Sequence, residues 1–389
     1  MMAYATHFHT RTLILQHHLF TNSCARHEFR ETIMNNKCNI FQYSPKELTT
    51  DAFFTWLFYF LDSDNAYSKA KQQFFRTFLL KEEDKTKNIE NIEVFLQEGK
   101  RNGRTDLQVS FNFEKETERQ TILFENKTWS ETSVGQLNGY KSDFPDMYKY
   151  VFLKLGYIGI DDKKYAEECG YEIIDCFKVR DFLKPIQNLH PILEQYFEYL
   201  DETFCKHIES FQEELFNKKN YDVLGENHGE AQHYLMGIVF DKLNKHRNLY
   251  NTLHYQQGTS SGRPWTEIVF EDKAVFYDQE KTISEGLFWR VDCRQGGRYY
   301  LRINQYAWVV GEDNLKNLKE DRLKRLREMA ADTLKDYPKL IPGTPSNRWG
   351  ANESEVVIFF LDDNDLTELI NQITDFTAAF MHKYNSEMR

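Results

Sequence analysis

The sequence predicts an α/β protein with two domains, and three observations support that fold class. The chain has 389 residues, which is long for one ordinary domain. In its first half, three strand-like runs are followed by a helical pattern and a further strand. The composition is globular, with 41% hydrophobic and 28% charged residues. We therefore expect a mixed central sheet flanked by helices, followed by a C-terminal α+β domain.

The elements of the first half follow from periodicity and from start and stop signals. "SPKELTTDAFFTWLFYFL" predicts a mostly buried helix over 45–61, because Ser44, Pro45 and Glu47 occupy the N-cap, first-turn and capping-box positions. The other predicted elements are a helix over 66–80, strands over 91–97, 105–113 and 120–127, a helix over 133–141, and strands over 149–157 and 171–177.

The second half begins after a helical, acidic stretch over 190–218. An amphipathic helix is predicted over 230–246, and a loop over 256–264. "LFWRVDCRQGGRYYLRI" predicts a hairpin, since residues alternate on both sides of Gly296-Gly297. A helix over 314–331, the strand "EVVIFFL" and a terminal helix complete the chain.

These patterns divide the chain into four parts. Residues 1–33 hold five of the twelve histidines, have no clear periodicity and lack the features of a secretory signal. We expect them to be a poorly ordered extension, or to precede a natural start at Met34. The remaining predicted parts are a first domain over 34–189, a helical spacer over 190–227 and a C-terminal domain over 228–389.

Charge and cysteine content narrow the class of protein. The formal net charge of -11 argues against a surface coated with basic residues, although a local basic groove stays open. The six cysteines are scattered and form no CxxC pair, which favours reduced thiols in the cytoplasm. No apolar run is long enough to cross a bilayer, so no membrane partner is expected.

Charged residues end one of the predicted buried strands. In "TILFENK" the alternation places Leu123, Glu125 and Lys127 on one face. If the preceding strand forms a hairpin with this one, Asp106 at its start lies close to Glu125. Two adjacent carboxylates repel each other and favour a bound cation, and hard oxygen ligands suit Mg²⁺ or Mn²⁺.

The order of these residues resembles the PD-(D/E)xK nuclease superfamily. Asp106 is followed nineteen residues later by Glu125-Asn126-Lys127, and "QLNGY" is similar to the QxxxY helix of one branch of these nucleases. Glu47 resembles a first-helix glutamate of the family. The resemblance covers residues 40–160, and Thr105 replaces the nominal proline of the first motif.

The resemblance implies a restriction-endonuclease-like core and a set of site residues. It implies metal binding by Asp106, Glu125, the main-chain carbonyl of Asn126 and, to complete the site, Glu47. It also implies that Lys127 is the catalytic lysine, and that Gln136 and Tyr140 line the same cleft and position phosphate or water.

Structural interpretations of the same residues stay open. Glu125 and Lys127 also fit an ion pair at a strand end, and Asp106 fits a strand start after a turn. Glu47 fits a capping box, and Gln136 and Tyr140 fit the packing of a surface helix. The hairpin arginines with Lys324, Arg325 and Arg327 form either a basic face for nucleic acid or, as we favour, a solvated face of charges.

The sequence therefore predicts a divalent-metal-dependent nuclease that hydrolyses phosphodiester bonds, with DNA preferred over RNA. Bacterial defence or repair is the setting that this activity fits. The alternative is a nuclease fold retained as a catalytically silent binding or interaction module. A serine hydrolase built on Ser260 of "GTSSG" is a distant third, because that motif needs a strand before it and a helix after it. Homodimer formation stays open.

Overall fold

The computed structural model describes most of the chain from Asn39 onward. The described ranges are 39–43, 46–97, 99–100, 103–130, 132–226, 229–250, 252–260, 263–276, 282–294, 296–308, 313–346 and 353–388. The predicted extension over residues 1–33 and the start signal at Ser44 and Pro45 lie outside them.

The first half folds around a mixed five-stranded sheet. Its strands lie in the order β1 (Ile89–Leu96), β4 (Leu107–Phe113), β5 (Arg119–Lys127), β6 (Lys149–Lys154) and β7 (Glu172–Asp175), and the short strands β2 (Gly99–Lys100) and β3 (Gly103–Arg104) pair separately. β1, β4 and β5 are antiparallel, whereas β5, β6 and β7 are parallel. The predicted meander with a helical crossover is confirmed, and the fold class is α/β.

Helices cover both faces of this sheet. They are α1 (Lys46–Asp62), α2 (Ser68–Phe74, continued by a π-helical turn to Leu79), α3 (Val134–Asp143), α4 (Ile160–Cys169) and α5 (Cys176–Leu183). Phe124 packs into the core beside α1, whereas Leu123 packs into the core beside α3 and α4. The alternation of β5 therefore sends its odd-numbered side chains towards α3 and α4, and its even-numbered ones towards α1.

The sequence predicts a strand as far as residue 157, and that boundary is wrong. β6 ends at Lys154, and the unpredicted helix α4 begins at Ile160. Gly156 and Gly159 interrupt the strand, while Asp161 and Asp162 in the first turn of α4 suit a helix N-terminus.

The segment predicted as a spacer contributes to both hydrophobic cores. It contains α6 (Pro191–Leu200) and α7 (Lys206–Gln212), each followed by a π-helical turn. Leu193 and Tyr196 pack into the core of the first sheet, whereas Phe211 and Leu215 pack into the core of the second half. The predicted domain boundaries stay predictions.

The second half is an antiparallel five-stranded sheet with helices on one face. Its strands lie in chain order: β8 (His254–Ser260), β9 (Arg263–Phe276), β10 (Thr282–Arg294), β11 (Arg298–Trp308) and β12 (Glu353–Phe360). The helices are α8 (Glu230–Asn244), α9 (Asp313–Thr333) and α10 (Leu366–Glu387). The predicted hairpin is confirmed, and Gly296 and Gly297 have the positive φ values, 92° and 77°, that its turn requires.

The predicted loop over 256–264 is wrong. Most of these residues belong to β8 and β9, which pair with Gly258 opposite Trp265. The indole lies against Gly258, where an added Cβ would come 2.6 Å from the ring. Ser260 ends a strand that leads into another strand, so the strand-to-helix turn of a serine hydrolase is not formed.

The hairpin arginines are neutralised by carboxylates. Arg290 lies 3.2 Å from Glu267, and Arg294 lies 2.7 Å from Glu355. Arg302 bridges Glu353 and Asp292, and Arg298 pairs with Asp363. These four arginines therefore form a face of paired charges and not an open basic face.

Among the described residues, no helix combines the length and the apolar character needed to cross a bilayer. Cys169, Cys176, Cys205 and Cys293 are free cysteines.

Candidate active site

The carboxyl end of β5 holds a buried ion pair. Glu125 is 0% exposed, and Lys127 Nζ lies 2.7 Å from Glu125 Oε1. Burial first, and then the neighbouring carboxylate of Asp106, raise the pKa of Glu125 to about 8. Burial is the largest single effect on Lys127 and opposes its charged form. The charge and hydrogen bond of Glu125, together with the charges of Asp106 and Glu47, outweigh burial, so the pKa of Lys127 is raised.

The second carboxylate comes from the adjacent antiparallel strand. β4 pairs with β5 with Leu107 opposite Phe124, so Asp106, one residue earlier, comes alongside Glu125. The Asn126 amide donates to Asp106 Oδ2 at 2.7 Å. Burial raises the pKa of Asp106, although the Asn126 amide and the Lys127 charge act in the opposite direction. The predicted approach of Asp106 to Glu125 is confirmed.

Helix α3 brings two more predicted residues to Glu125. The Ser133 side chain caps this helix by accepting from the Gln136 amide, at 3.2 Å. Gln136 Nε2 then donates to Glu125 Oε1 at 2.7 Å and contacts the Tyr140 hydroxyl at 3.2 Å. Gln136 therefore contacts the central carboxylate directly, and Tyr140 lies behind it.

Helix α1 approaches from the other side of the sheet and carries Glu47. The Ser130 hydroxyl donates to Glu47 Oε1 at 2.6 Å, so this exposed carboxylate is tied to the segment that follows β5. Its negative charge acts on Asp106 and Lys127. Glu47 thus lies at the rim of the site and has no direct contact with Glu125 among those observed.

Asp51, one helical turn after Glu47, is a site residue that the sequence reasoning missed. It is 5% exposed and accepts a hydrogen bond from Asn126 Nδ2. Burial is the main reason why its pKa is raised to about 6, and the charges of Asp106 and Glu47 add to it. The sequence did contain a signal for Asp51: it is a carboxylate within an apolar helix, and it lies on the same face as Glu47, four residues earlier.

The oxygen atoms around Glu125 decide whether a cation can bind there. Among the described residues, no group of three or more His, Cys, Asp or Glu side chains is arranged to hold a metal ion. Glu125 Oε2, however, is buried, and the group that neighbours Glu125 here is a second carboxylate, Asp106, rather than an N–H donor. Since the Asn126 amide points to Asp106, its carbonyl points to the same side. Two carboxylates and one carbonyl suit an ion such as Mg²⁺ that keeps several waters.

Comparison with known proteins gives no relative: no protein-family model, curated protein or solved structure matches the chain. Function is therefore inferred from the chemistry of these residues.

Proposed function

We propose that the chain is a divalent-metal-dependent nuclease with a restriction-endonuclease-like core of the PD-(D/E)xK type. The observation that carries the proposal is the pair of facing carboxylates, Asp106 and Glu125, with Lys127 at 2.7 Å from the more deeply buried one. Ordinary ion pairs at strand ends are exposed, whereas the pair of Glu125 and Lys127 is buried. A second carboxylate, Asp106, lies beside it, and burying two like charges together is unfavourable unless they serve a purpose such as binding a cation.

Each residue has a distinct task in this proposal. Asp106, Glu125 and the Asn126 carbonyl would hold Mg²⁺ or Mn²⁺, which supplies Lewis acidity and lowers the pKa of a bound water. Lys127 presents a positive charge that stabilises negative charge developing on a phosphate oxygen. Gln136 fixes Glu125 by donating to Oε1, so the buried Oε2 would be the oxygen that takes the metal ion.

The first experiment is a cleavage assay with plasmid DNA, single-stranded DNA and RNA, in Mg²⁺, Mn²⁺ or EDTA. Lys127→Ala, Glu125→Gln and Asp106→Asn should each reduce metal-dependent cleavage by about 100-fold or more, because each removes a charge at the reacting phosphate or its ion. DNA should be cut in preference to RNA.

Lys149→Ala is the matched control. Lys149 lies at the opposite end of the neighbouring strand β6, where its ammonium group is 2.5 Å from the Glu172 carboxylate. The variant therefore loses a lysine from the same sheet, but one that lies away from the site. We expect wild-type cleavage from this variant. Cleavage by Glu125→Gln at the wild-type rate would exclude the proposal.

The alternative function, a silent binding module, is distinguished by calorimetry with Mn²⁺. A nuclease site should bind Mn²⁺ and lose that binding in the Asp106→Asn/Glu125→Gln double variant. Nucleic-acid binding that is indifferent to EDTA, with neither cleavage nor Mn²⁺ binding, would favour the module.

A further inference from the structure

A second lysine lies in register with Lys127 on the neighbouring strand. Lys154 ends β6, and the parallel pairing of β5 with β6 places it opposite Lys127. Lys154 is 2% exposed, and its Nζ lies 2.6 Å from Oδ2 of Asp162, which is also 2% exposed. Replacing such a pair by apolar residues is often neutral for stability, so stability alone does not account for it.

The pair is connected to the segment that leaves the candidate active site. Lys154 Nζ donates to the Ser130 carbonyl at 3.2 Å, and Asp162 Oδ1 lies 3.5 Å from the Thr132 amide. This segment, of which the structure describes residues 128–130 and 132–133, begins directly after Lys127 and ends at the Ser133 cap of α3. The Ser130 hydroxyl within it donates to Glu47. The buried pair of Lys154 and Asp162 thus contacts the segment that connects Lys127, Glu47 and Gln136.

The pair is also enclosed by the second half of the chain. His233 of α8 is 7% exposed, and the charges of Lys154 and Asp162 act on its imidazole. Three residues earlier on α8, Glu230 Oε1 accepts from the Tyr157 amide at 2.5 Å, just beyond the end of β6. Water is therefore kept from Lys154 by elements of both halves, which strengthens its bond to Ser130.

We infer that Lys154 and Asp162 are positioning residues for the candidate nuclease site. They fix Ser130 and Thr132 so that Lys127, Glu47 and Gln136 keep one arrangement. The inference rests on the proposed function. Neither residue is assigned contact with substrate or metal. Their effect on the reaction passes through the segment that they hold, because a displacement of about 1 Å in a site can cost about 100-fold in rate.

The test is the double variant Lys154→Met/Asp162→Asn. It removes both charges and the bond to Ser130, while an asparagine at 162 keeps an acceptor for the Gly159 amide, 3.3 Å away, at the start of α4. We expect the kcat for cleavage to fall by about 10- to 100-fold with KM within about twofold of wild type. Amide hydrogen exchange over residues 128–136 should become at least tenfold faster.

The matched control is Arg322→Met/Glu285→Gln. This pair has a fully buried carboxylate and a largely buried guanidinium 2.6 Å from it, but it joins α9 to β10 in the second sheet. The control should keep the wild-type kcat and wild-type exchange over 128–136, whatever its melting temperature. It separates a loss of positioning from a general loss of stability.

Two results would overturn the inference: a wild-type kcat for Lys154→Met/Asp162→Asn, or unchanged exchange over 128–136 in that variant. The exchange measurement needs no substrate. If the wild-type protein cleaves nothing, the proposed nuclease function fails, and exchange still decides whether the pair holds this segment.

Discussion

Glu125 occupies its place at an electrostatic cost. It is fully buried at the end of a strand, beside Asp106, and only one of its oxygens is bonded to Lys127 and Gln136. Burial and the like charge raise its pKa to about 8. In the proposed nuclease, Glu125 would be a residue kept for activity at the expense of stability.

This cost gives a prediction for the pH dependence of unfolding. The pKa of Glu125 is raised on folding, from an ordinary value of 4.5 to about 8. Its contribution to stability is therefore present at low pH and is lost as the pH rises towards 8. Glu125→Gln cannot ionise, so it should be more stable than wild type at pH 8.5, by a few kcal/mol at most.

Urea unfolding at pH 5 and pH 8.5, without metal, measures this difference. The advantage of Glu125→Gln should be larger at pH 8.5 than at pH 5. The same advantage at both values would mean that Glu125 ionises freely in the folded protein.

At the scale of elements, the connection between β6 and α4 packs closely against the end of β5. Gly156 donates its amide to the Thr128 carbonyl at 2.9 Å. A Cβ at Gly156 would lie 2.4 Å from that carbonyl and 2.5 Å from Glu230 Oε1. Only glycine lets the end of β5, the start of this connection and α8 come together without displacement.

Gly156→Ala should therefore destabilise the protein by about 1–3 kcal/mol, because backbone or Glu230 must move. Gly135→Ala is the control: Gly135 is exposed on α3 and its Cβ would come no closer than 3.9 Å to Ser133 Oγ, so alanine should be neutral or slightly stabilising. Chemical denaturation compares the two. Equal free energies of unfolding for the two variants would show that the β6–α4 connection accommodates a Cβ at Gly156 without loss of stability.

At the scale of the whole molecule, His233 lies at the contact between the two halves. It belongs to α8 in the second half and faces Lys154 and Asp162 of the first. Burial, and then the charge of Lys154, lower its pKa to about 4. Folding therefore keeps this imidazole neutral at pH values where an exposed histidine is protonated.

The sign of the resulting pH dependence is fixed. Above pH 6.5, the ordinary histidine pKa, His233 is neutral in both states and makes no difference. Between pH 6.5 and 4 the unfolded chain binds a proton that the folded chain does not, so stability falls, by about 3 kcal/mol in total. His233→Gln should lose this part of the acid sensitivity, measured by urea unfolding between pH 7 and 4.5. Parallel curves for wild type and variant would contradict it.

Some features were predictable because they depend on near neighbours in sequence. The two-residue period of "TILFENK" places Glu125 and Lys127 on one face, and the Gly296-Gly297 turn predicts its hairpin. The four-residue spacing of Gln136 and Tyr140 likewise predicts that they lie together on α3. The prediction of a loop over residues 256–264, which rested on the composition of this stretch, failed because Gly258 makes room for Trp265 across a strand pair.

The sequence by itself determined the α/β class, the strand that ends in Glu125 and Lys127, and the carboxylate at Asp106. Local periodicity and turn chemistry specify such features, because each depends on residues within one or two adjacent elements. Only the tertiary structure brought Asp51 to Asn126 from 75 residues away, paired the hairpin arginines with carboxylates, and buried Lys154 and Asp162 where their charges act on His233 of α8. Those contacts depend on how separate elements pack, which no local spacing encodes.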